Sequence, residues 1–499
     1  MMINENVTVE RMVAGGDGLA RLADGRVVFV NGAITGEQVA IDITTNKKDF
    51  ARANIVEILS ASPHRVTPPC KFVAVGCGGC SWQHLDVSQH MSTKVAIVSE
   101  ALRRTAKISE NDVAGLIKVG GSVSANASRT TLRMAVLSSG KLGFRRASSN
   151  DLVETSPCLV AHSLLNEIIG SVRVKNAAEV TLRCGASSGD RGVWLHDEHG
   201  RGQITGLPKD VGVGIESLVH EVVGGVRLRV MMTSYFQSSL EAAELLVAAV
   251  RVAAGERVLS GVDGRVIDAY GGVGLFAATL LSADVPVTVV ESSESSCRDA
   301  TVNLSQHIEQ THNTDLPSEI SNCNVEQWSP VSAGLVIADP ARTGLGPQAV
   351  SRLVATNASR IVLVSCDAVA GARDLRWCEA IGFVYPTWWA GLPAMLKGWI
   401  DRTWMNEVAW ILPPGANTIR PRLTNITRLV AVTTHGSSKF INALQGEPGK
   451  RTISRSIRVM CNKFCRARWI AFYGLDKSTH EQRQKHLATI GQRVVRALR

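Results

Sequence analysis

The sequence predicts an α/β protein of several domains: an OB-like β-barrel, a mixed α+β middle with a ligand loop, a Rossmann-like parallel sheet and a partial α/β segment. Three observations carry this. Residues 1–62 alternate apolar and polar side chains in short runs broken by Gly, as a small antiparallel barrel requires. Between Arg265 and Asp367, short β-branched apolar runs end in small or acidic residues and are followed by helical text, the pattern of buried parallel strands. Composition then changes near Phe383. Residues 384–499 hold 19 Lys+Arg against 5 Asp+Glu and six of the ten Trp, leaving 35 basic and 39 acidic groups in the first 383 residues.

The net charge of +10 therefore belongs to the last segment and does not by itself point to RNA binding by the rest. An apolar content of 45% supports real cores across two to four domains. No stretch reaches the roughly 18 uncharged apolar residues of a membrane span. The opening MMINENVTVERMV carries acids and no apolar core, so no signal peptide is expected. Eleven Cys, an odd number unevenly spaced, do not suggest a secreted disulfide framework. A cytoplasmic protein using Cys for metal or catalysis is expected, with no membrane and no obligate protein partner evident.

Taken in order, the barrel strands are VTVERMV, GLARL, GRVVFV, GEQVAIDI and FARANIVEIL, with turns at Gly15-Gly16-Asp17-Gly18 and Asp24-Gly25. Arg21, Arg26, Lys47, Lys48 and Arg52 can meet phosphates, although eight acids in the first 60 residues offset them. Cys70, Cys77 and Cys80 then fall within eleven residues, the last two flanking Gly78-Gly79. Glycines let the backbone fold round a metal centre, so this is a ligand loop needing a fourth ligand. Four thiolates fit either a [4Fe-4S] cluster or zinc. KVAIVSEALRRTAKI has helical periodicity, and RTTLRMAVL, KLGFRR, AEVTLRC and RGVWLH read as strands. Arg129, Arg133, Arg145 and Arg146 sit on these runs, where a solvated strand face and an RNA contact are both open.

Phe236-Gln237 precedes the amphipathic helix LEAAELLVAAVRVAA, where a helix N-cap accounts for the local pattern. VIDAYGGVGLFAATLL is a strand, a Gly-rich turn and a helix start, at which backbone can approach a ligand. About 23 residues on, VTVVESSE ends a second strand in Glu291, an acid able to accept both hydroxyls of a ribose. A Gly-rich turn alone also suits a dinucleotide. AGLVIADPARTGLG gives a third strand ending at Asp339. IVLVSCDAVAGARD gives a fourth, with Cys366 at its carboxyl end, where a thiolate can attack an electron-poor ring carbon. A buried structural Cys is the plain alternative. Four strand ends, after residues 267, 290, 338 and 364, converge on one crevice.

Residues 1–383 resemble the TRAM-containing, iron–sulfur class of S-adenosyl-L-methionine-dependent RNA uracil-C5 methyltransferases. The match rests on Gly15-Gly16-x-Gly18-Leu19-Ala20-Arg21, Asp268-x-Tyr270-x-Gly272-x-Gly274-x-Phe276, Asp339-Pro340-Ala341-Arg342-Thr343-Gly344-Leu345 and Val364-Ser365-Cys366-Asp367. The resemblance implies an RNA substrate (rRNA or tRNA), Cys366 as nucleophile, and a cofactor held by Gln237, Asp268, Tyr270, Gly272, Gly274, Glu291 and Asp339. It also implies Cys158 as fourth ligand to a structural [4Fe-4S] cluster with Cys70, Cys77 and Cys80. Ala341 and Ala368 replace family prolines, Val369 departs from its usual run, and Ser239 replaces an Asn. The family's general base is a Glu in a short F-P-x-T-x-H-x-E segment after the catalytic Cys, and no such segment follows here.

Residues 384–499 instead resemble the second half of a flavodoxin-like NAD(P)H:quinone oxidoreductase. Tyr385-Pro386-Thr387-Trp388-Trp389 and Thr433-Thr434-His435-Gly436 would be its flavin-ring loops. The first half of that fold, with its phosphate loop, has no counterpart, so this segment is expected to hold FMN poorly. The resulting division is a barrel at 1–62, a cluster-binding central domain at 63–225, a methyltransferase domain at 226–383 and the partial flavodoxin-like segment at 384–499, joined as a fusion near Gly382–Val384. An FMN-dependent reductase and an inactive RNA-binding fusion product are the alternatives.

Overall fold

The computed structural model describes residues 4–106, 108, 110–147, 149–197, 199–262, 264–375, 380–387, 392–394, 396–397, 400, 409–413, 416–421, 423, 426 and 428–498. Six strands open the chain: β1 Asn4–Thr8, β2 Arg11–Met12, β3 Gly18–Arg21, β4 Val27–Asn31, β5 Gln38–Asn46 and β6 Phe50–Ser60. They form one sheet in the order β1-β5-β6-β4-β3-β2. Only Val9 and Glu10 separate β1 from β2, yet these strands lie at opposite ends of that order, so the sheet must curl back on itself. Val9 N–H donates to the Glu37 carbonyl at 2.8 Å and Glu10 N–H to the Leu19 carbonyl at 2.8 Å, across the curl. Alternate residues point inward, with Val7, Val28, Val30, Val39, Ile41, Ala51 and Ala53 forming the core.

The curled sheet is fixed to the next segment by Glu37, whose side chain is fully buried. Its carboxylate accepts from Arg65 Nε at 2.6 Å and Arg65 Nη2 at 2.7 Å, and from the Ile34 and Ser62 amides at 2.9 and 3.2 Å. Burial alone would raise this carboxyl; Arg65 and the two amides overcome it and hold the group below the usual carboxylate range.

The central sheet has the order β14-β12-β11-β7-β8-β9. Its members are β7 Thr131–Val136, β8 Leu142–Arg145, β9 Leu152–Glu154, β11 Glu179–Cys184, β12 Arg191–His196 and β14 Val211–Val213, while β10 Arg173–Lys175 pairs with β13 Gln203–Thr205 beside it. The four strand-like runs of the sequence are β7, β8, β11 and β12. Leu132, Met134, Val180, Leu182 and Val193 turn to one face and pack on Leu165, Ile168 and Ile169 of the helix Ser163–Ser171. Arg133, Thr181, Trp194 and His196 alternate with these and take the other face. The helical run after the cysteine loop is the helix His90–Arg104.

A hairpin, β15 Leu218–Val223 and β16 Val226–Met231, leads to the helix Leu240–Ala254, capped by Ser239 through the Ala242 amide at 3.4 Å. The sheet that follows is wholly parallel: β17 Val266–Ala269, β18 Val287–Glu291, β19 Glu319–Asn322, β20 Leu335–Ala338 and β21 Arg360–Leu363. Its order is β19-β18-β17-β20-β21. The chain thus starts at the centre, builds outward one way and then returns to build the other way. That reversal opens a crevice at the carboxyl ends of β17 and β20. Every residue of β17 and β20 is buried, which explains why both read as apolar runs without alternation.

Contacts divide the chain into one unit of residues 1–102 with 113–374 and a second of 103–112 with 375–499. In the second, β22 Ala380–Pro386, β25 Arg428–His435 and β26 Arg466–Tyr473 form a parallel sheet in the order β22-β25-β26, and β23 Trp410–Ile411 pairs with β24 Arg420–Pro421. Leu429, Ala431, Ile453, Ile457, Cys461 and Cys465 are its core. The residues at which composition changes, Gly382 to Val384, lie inside β22, paired in register with Val430 to Val432. Trp388 and Trp389, assigned to a flavin-ring loop, and Cys378 lie outside the described residues.

Replacing Glu37 by Ala leaves Arg65 without its buried partner and is expected to cost about 3–5 kcal/mol, read by urea denaturation. Because the folded-state pKa is depressed, this contribution is full above the unfolded glutamate value of about 4.3 and is lost as pH falls through the folded one. The same titration on Glu37→Ala should therefore lack that part of the acid destabilisation.

Candidate functional site

The crevice is built outward from Asp268, the third residue of β17, which is entirely buried. One carboxylate oxygen, Oδ2, accepts from the Ala277 amide at 3.1 Å; the other, Oδ1, is buried without a donor. Burial, helped by the charges of Asp339 and Glu291, pushes this carboxyl up to about 7. The turn after β17 must pass very close to its own strand. A Cβ on Gly271 would lie 2.7 Å from Val289 Cγ1 and 2.9 Å from the Asp268 carbonyl, so no side chain fits. Gly272 and Gly274 have φ of +55° and +83°, where glycine is at no disadvantage.

Two outside groups brace this turn. Glu291, at the end of β18, accepts from the Gly272 amide at 3.0 Å and the Ser293 amide at 2.7 Å. Asn303 donates to the Val273 and Arg229 carbonyls at 2.8 and 3.0 Å and accepts from the Arg229 amide at 2.8 Å. Tyr270 adopts φ +57° and directs its hydroxyl to Glu326 Oε1 at 3.0 Å, so that hydroxyl is already engaged.

The opposite wall comes from β20 and from the loop after β16. Asp339 directly follows β20, and burial raises its carboxyl to about 6. Its one hydrogen bond among the described residues is accepted from Gln237 Nε2 at 3.4 Å. The loop carrying Gln237 is held from below by Asp299, fully buried, which accepts from the Met231 amide and the Ser234 hydroxyl, both at 2.7 Å, and pairs with Arg229 at 3.0 Å. Arg183, also buried, donates to the Ser234 carbonyl at 2.8 Å, and burial lowers its pKa to about 10 against the pull of Asp299. Sequence reasoning missed Arg183 and Asp299; a lone charge in a strand and another in a helix give no sign that they meet.

Cys366 lies just past β21. Val364 N–H still donates to the Ala338 carbonyl at 2.8 Å, and Asp367 accepts from the Ala370 amide at 2.8 Å, starting the helix Ala368–Asp374. Cys366 is exposed, unlike every other described cysteine, so the alternative of a buried structural thiol does not hold. Its loop is tied to the Asp339 loop: Asp374 Oδ2 accepts from the Leu345 amide at 2.7 Å, and Arg373 donates to the Thr343 carbonyl at 2.5 Å. Tyr235, on the loop after β16, is largely exposed. Partial burial of its hydroxyl, with the charges of Asp339 and Cys366, pushes its pKa up, while Arg342 opposes.

A separate cavity of about 140 Å³ is lined by Cys70, Cys77, Cys80 and Cys158 together. The three-cysteine loop is anchored by the Gly78 amide on the Arg145 carbonyl at 2.9 Å and by the Cys70 amide on Gln83 Oε1 at 3.1 Å. Asn166 clamps Cys158, accepting from its amide at 2.8 Å and donating to its carbonyl at 2.9 Å. Burial, with the nearby thiols of the same set adding, raises Cys80 and Cys158. Among the described residues no three His, Cys, Asp or Glu side chains close to the spacing of a single metal ion. Cys184 and Cys297 are buried elsewhere.

An open parallel sheet with a Gly-rich turn, an acid on the next strand and an exposed thiol at the same end makes a Rossmann-like α/β domain with its ligand crevice at the strand ends. Similarity to known proteins agrees with this. The chain is 31% identical to an RNA methyltransferase of Streptomyces avermitilis, over 76% of this chain and 92% of that protein. It is 30% identical to one of Corynebacterium diphtheriae, over 76% and 90%. The chain belongs to this RNA methyltransferase family. A TRAM domain matches residues 5–56, and a flavodoxin-like fold matches residues 338–494, a range that takes in the Cys366 loop as well as the second unit. The fold is also that of the Pyrococcus abyssi tRNA (uracil-54, C5)-methyltransferase solved with S-adenosyl-L-homocysteine, at 21% identity and a TM-score of 0.53, covering 74% of this chain and 92% of that one.

Replacing Asp299 by Ala leaves Arg229 without its ion-pair partner and the Met231 amide and Ser234 hydroxyl without their acceptor beneath the Gln237 loop, and is expected to destabilise the protein by about 3–5 kcal/mol. Thermal or urea unfolding checks this; Asp299→Asn, which keeps an acceptor for Met231 and Ser234, should lose less.

Proposed function

We propose that this protein methylates C5 of a uridine in rRNA or tRNA, using S-adenosyl-L-methionine. The observation that carries the proposal is that half-buried Asp339 and exposed Cys366 follow the paired strands β20 and β21 at the same end of the sheet. Asp268, Glu291, Asp339 and Gln237, with the backbone around Gly272 and Gly274, would hold the cofactor. They suit it: acids with no cation paired to them among the described residues, Asp268 fully buried with its Oδ1 lacking a donor and Glu291 and Asp339 half-buried, match a ligand bearing ammonium, sulfonium and ribose hydroxyl groups. When bound, that cofactor supplies the electrophilic methyl which an activated C5 takes up. Cys366 activates it by adding as thiolate to C6, which turns C5 into an enolate carbon. A base then removes the C5 proton, the C6–S bond breaks and Cys366 leaves.

Cys70, Cys77, Cys80 and Cys158 would hold a structural [4Fe-4S] cluster. The support is that the four thiols line one cavity. The TRAM match supports an RNA contact by the barrel. A second reading, an FMN-dependent NAD(P)H:quinone oxidoreductase, draws on the flavodoxin-like match and the three parallel strands of the second unit. Anaerobically purified protein distinguishes them. Brown protein with iron and acid-labile sulfide, both lost in Cys158→Ser, is expected; zinc alone overturns the cluster, and resolved yellow flavin bands favour the second reading.

Incubation with substrate RNA and S-adenosyl-L-methionine is expected to give an RNA–protein band that survives denaturation and is absent in Cys366→Ala. With no F-P-x-T-x-H-x-E segment after Cys366 to supply the base, release should be slow; rapid multiple turnover would count against that part. A band that persists in Cys366→Ala would remove Cys366 as nucleophile.

Affinity for S-adenosyl-L-methionine, measured by calorimetry, should rise with pH through about 6 to 7 and then level off. Asp339 and Asp268 are raised to about 6 and about 7, so acid pH leaves them neutral, and ionisation provides the charge a sulfonium needs. Asp339→Asn should flatten the lower part of that rise.

A further inference from the structure

The outward face of the central sheet carries a trough that the crevice chemistry does not use. A cavity of about 560 Å³ lies over β7, β11 and β12, walled by Arg133, Arg145, Asn176, Trp194 and His196. It shares Arg133, Arg145 and Glu179 with a neighbouring cavity of about 300 Å³, which adds Arg146. That one in turn shares Arg133, Gly79 and Phe144 with the four-cysteine cavity. Shared lining residues thus lead from the cysteine loop through the neighbouring cavity to the trough over the sheet.

Its two ends differ chemically. Near the middle, Glu179 holds two guanidiniums at once, Arg133 at 2.5 Å and Arg145 at 2.8 Å, and both arginines remain more than half exposed. The trio keeps net positive charge and leaves guanidinium donors in contact with solvent. At the far end, Trp194 and His196, two residues apart on β12 and therefore on one face, have ring centroids 3.9 Å apart. The platform is rigid: His196 Nε2 is hydrogen-bonded to Thr181 Oγ1 at 2.8 Å, on the strand that pairs directly with Trp194. Burial and the Arg133 charge both lower the His196 pKa, which favours a neutral ring for stacking at pH 7. Fixed aromatic faces beside mobile cationic ends suit single-stranded nucleic acid, whose bases stack on such faces while its phosphates meet arginines. Duplex bases are already stacked on one another and cannot reach a sheet surface in this way.

We propose that this trough is a single-stranded RNA track and that the Trp194–His196 platform stacks one unpaired base of the substrate, away from the Cys366 crevice. It rests on the RNA-substrate reading above. The test uses the full-length chain carrying Cys366→Ala, without cofactor, so that covalent capture plays no part. The probe is a single-stranded RNA dodecamer with scattered 4-thiouridines. Crosslinking followed by peptide mapping should mark the segment containing Trp194 and His196. Trp194→Ala should weaken binding about tenfold or more, the loss of one base–aromatic stack, while Trp194→Phe retains most of it. Arg133→Gln and Arg145→Gln should each lower the log–log salt slope by up to about one, with affinity loss independent of sequence. Circular dichroism and thermal melting of each variant separate lost binding from lost fold, and Trp194→Phe guards against a misfolded Ala variant. Unchanged affinity in folded Trp194→Ala, crosslinks elsewhere only, or equal binding of the same sequence as a duplex would each overturn the proposal. Those results leave the Cys366 adduct experiment untouched, and failure of that adduct leaves this binding assay interpretable.

Discussion

A carboxylate buried at the end of the central strand sets the geometry of the methyltransferase domain. Asp268 can be buried only because the Ala277 amide, at the start of the next helix, turns back to meet it. That return forces the intervening turn against β18, which excludes a side chain at Gly271 and requires positive φ at Gly272 and Gly274. Amides freed by so tight a turn need acceptors; Glu291 takes the Gly272 amide. Asn303 supplies the donor that the Val273 carbonyl needs. One oxygen of Asp268 is still left over, so the same packing that builds the turn creates the unmet demand a ligand can satisfy.

The remaining walls follow from strand order. Since β17 starts at the centre and β20 is added beside it after the chain reverses, Asp339 is delivered next to Asp268 without any local sequence signal joining them. The Asp339 charge adds to burial in raising Asp268, partial burial raises Asp339, and neither is paired with a cation among the described residues. Beneath the loop that faces them, Arg183 and Asp299 do have partners, and they stabilise the Met231–Ser234 backbone from which Gln237 and Tyr235 project. One acidic set is therefore locked by arginine and structural, the other is open and suited to a ligand.

What could be read from the sequence divides along the same physical line. The strands β17, β18 and β20 were legible because a strand buried on both faces has little choice but to be apolar; β21 reads the same way although Arg360 and Ile361 are exposed. Asp268, Glu291, Asp339 and Cys366 were legible as interruptions at the ends of those runs. The four cysteines were legible in part: the loop of Cys70, Cys77 and Cys80 has a local spacing, but Cys158 is brought in from far along the chain and its place beside them is a tertiary fact. Tyr270 illustrates a limit. It was legible as a member of the Gly-rich motif, but the partner of its hydroxyl, Glu326, has no motif of its own. Arg183 and Trp194 were invisible for a related reason, since both lie at ordinary strand positions and acquire meaning only from the neighbouring strands.

The cysteine cavity ties these levels together. Its loop leans on β8 through Gly78 and Arg145, and Arg145 reaches across to Glu179 on β11, which also holds Arg133. A group that filled the cavity would therefore stiffen the strand that presents the trough's arginines. In a single-stranded substrate with many soft torsions, affinity depends on how little the protein must be ordered at the same time. A cluster-bound loop would supply that order in advance, which would give a structural cofactor a physical reason to sit at the edge of the proposed RNA track.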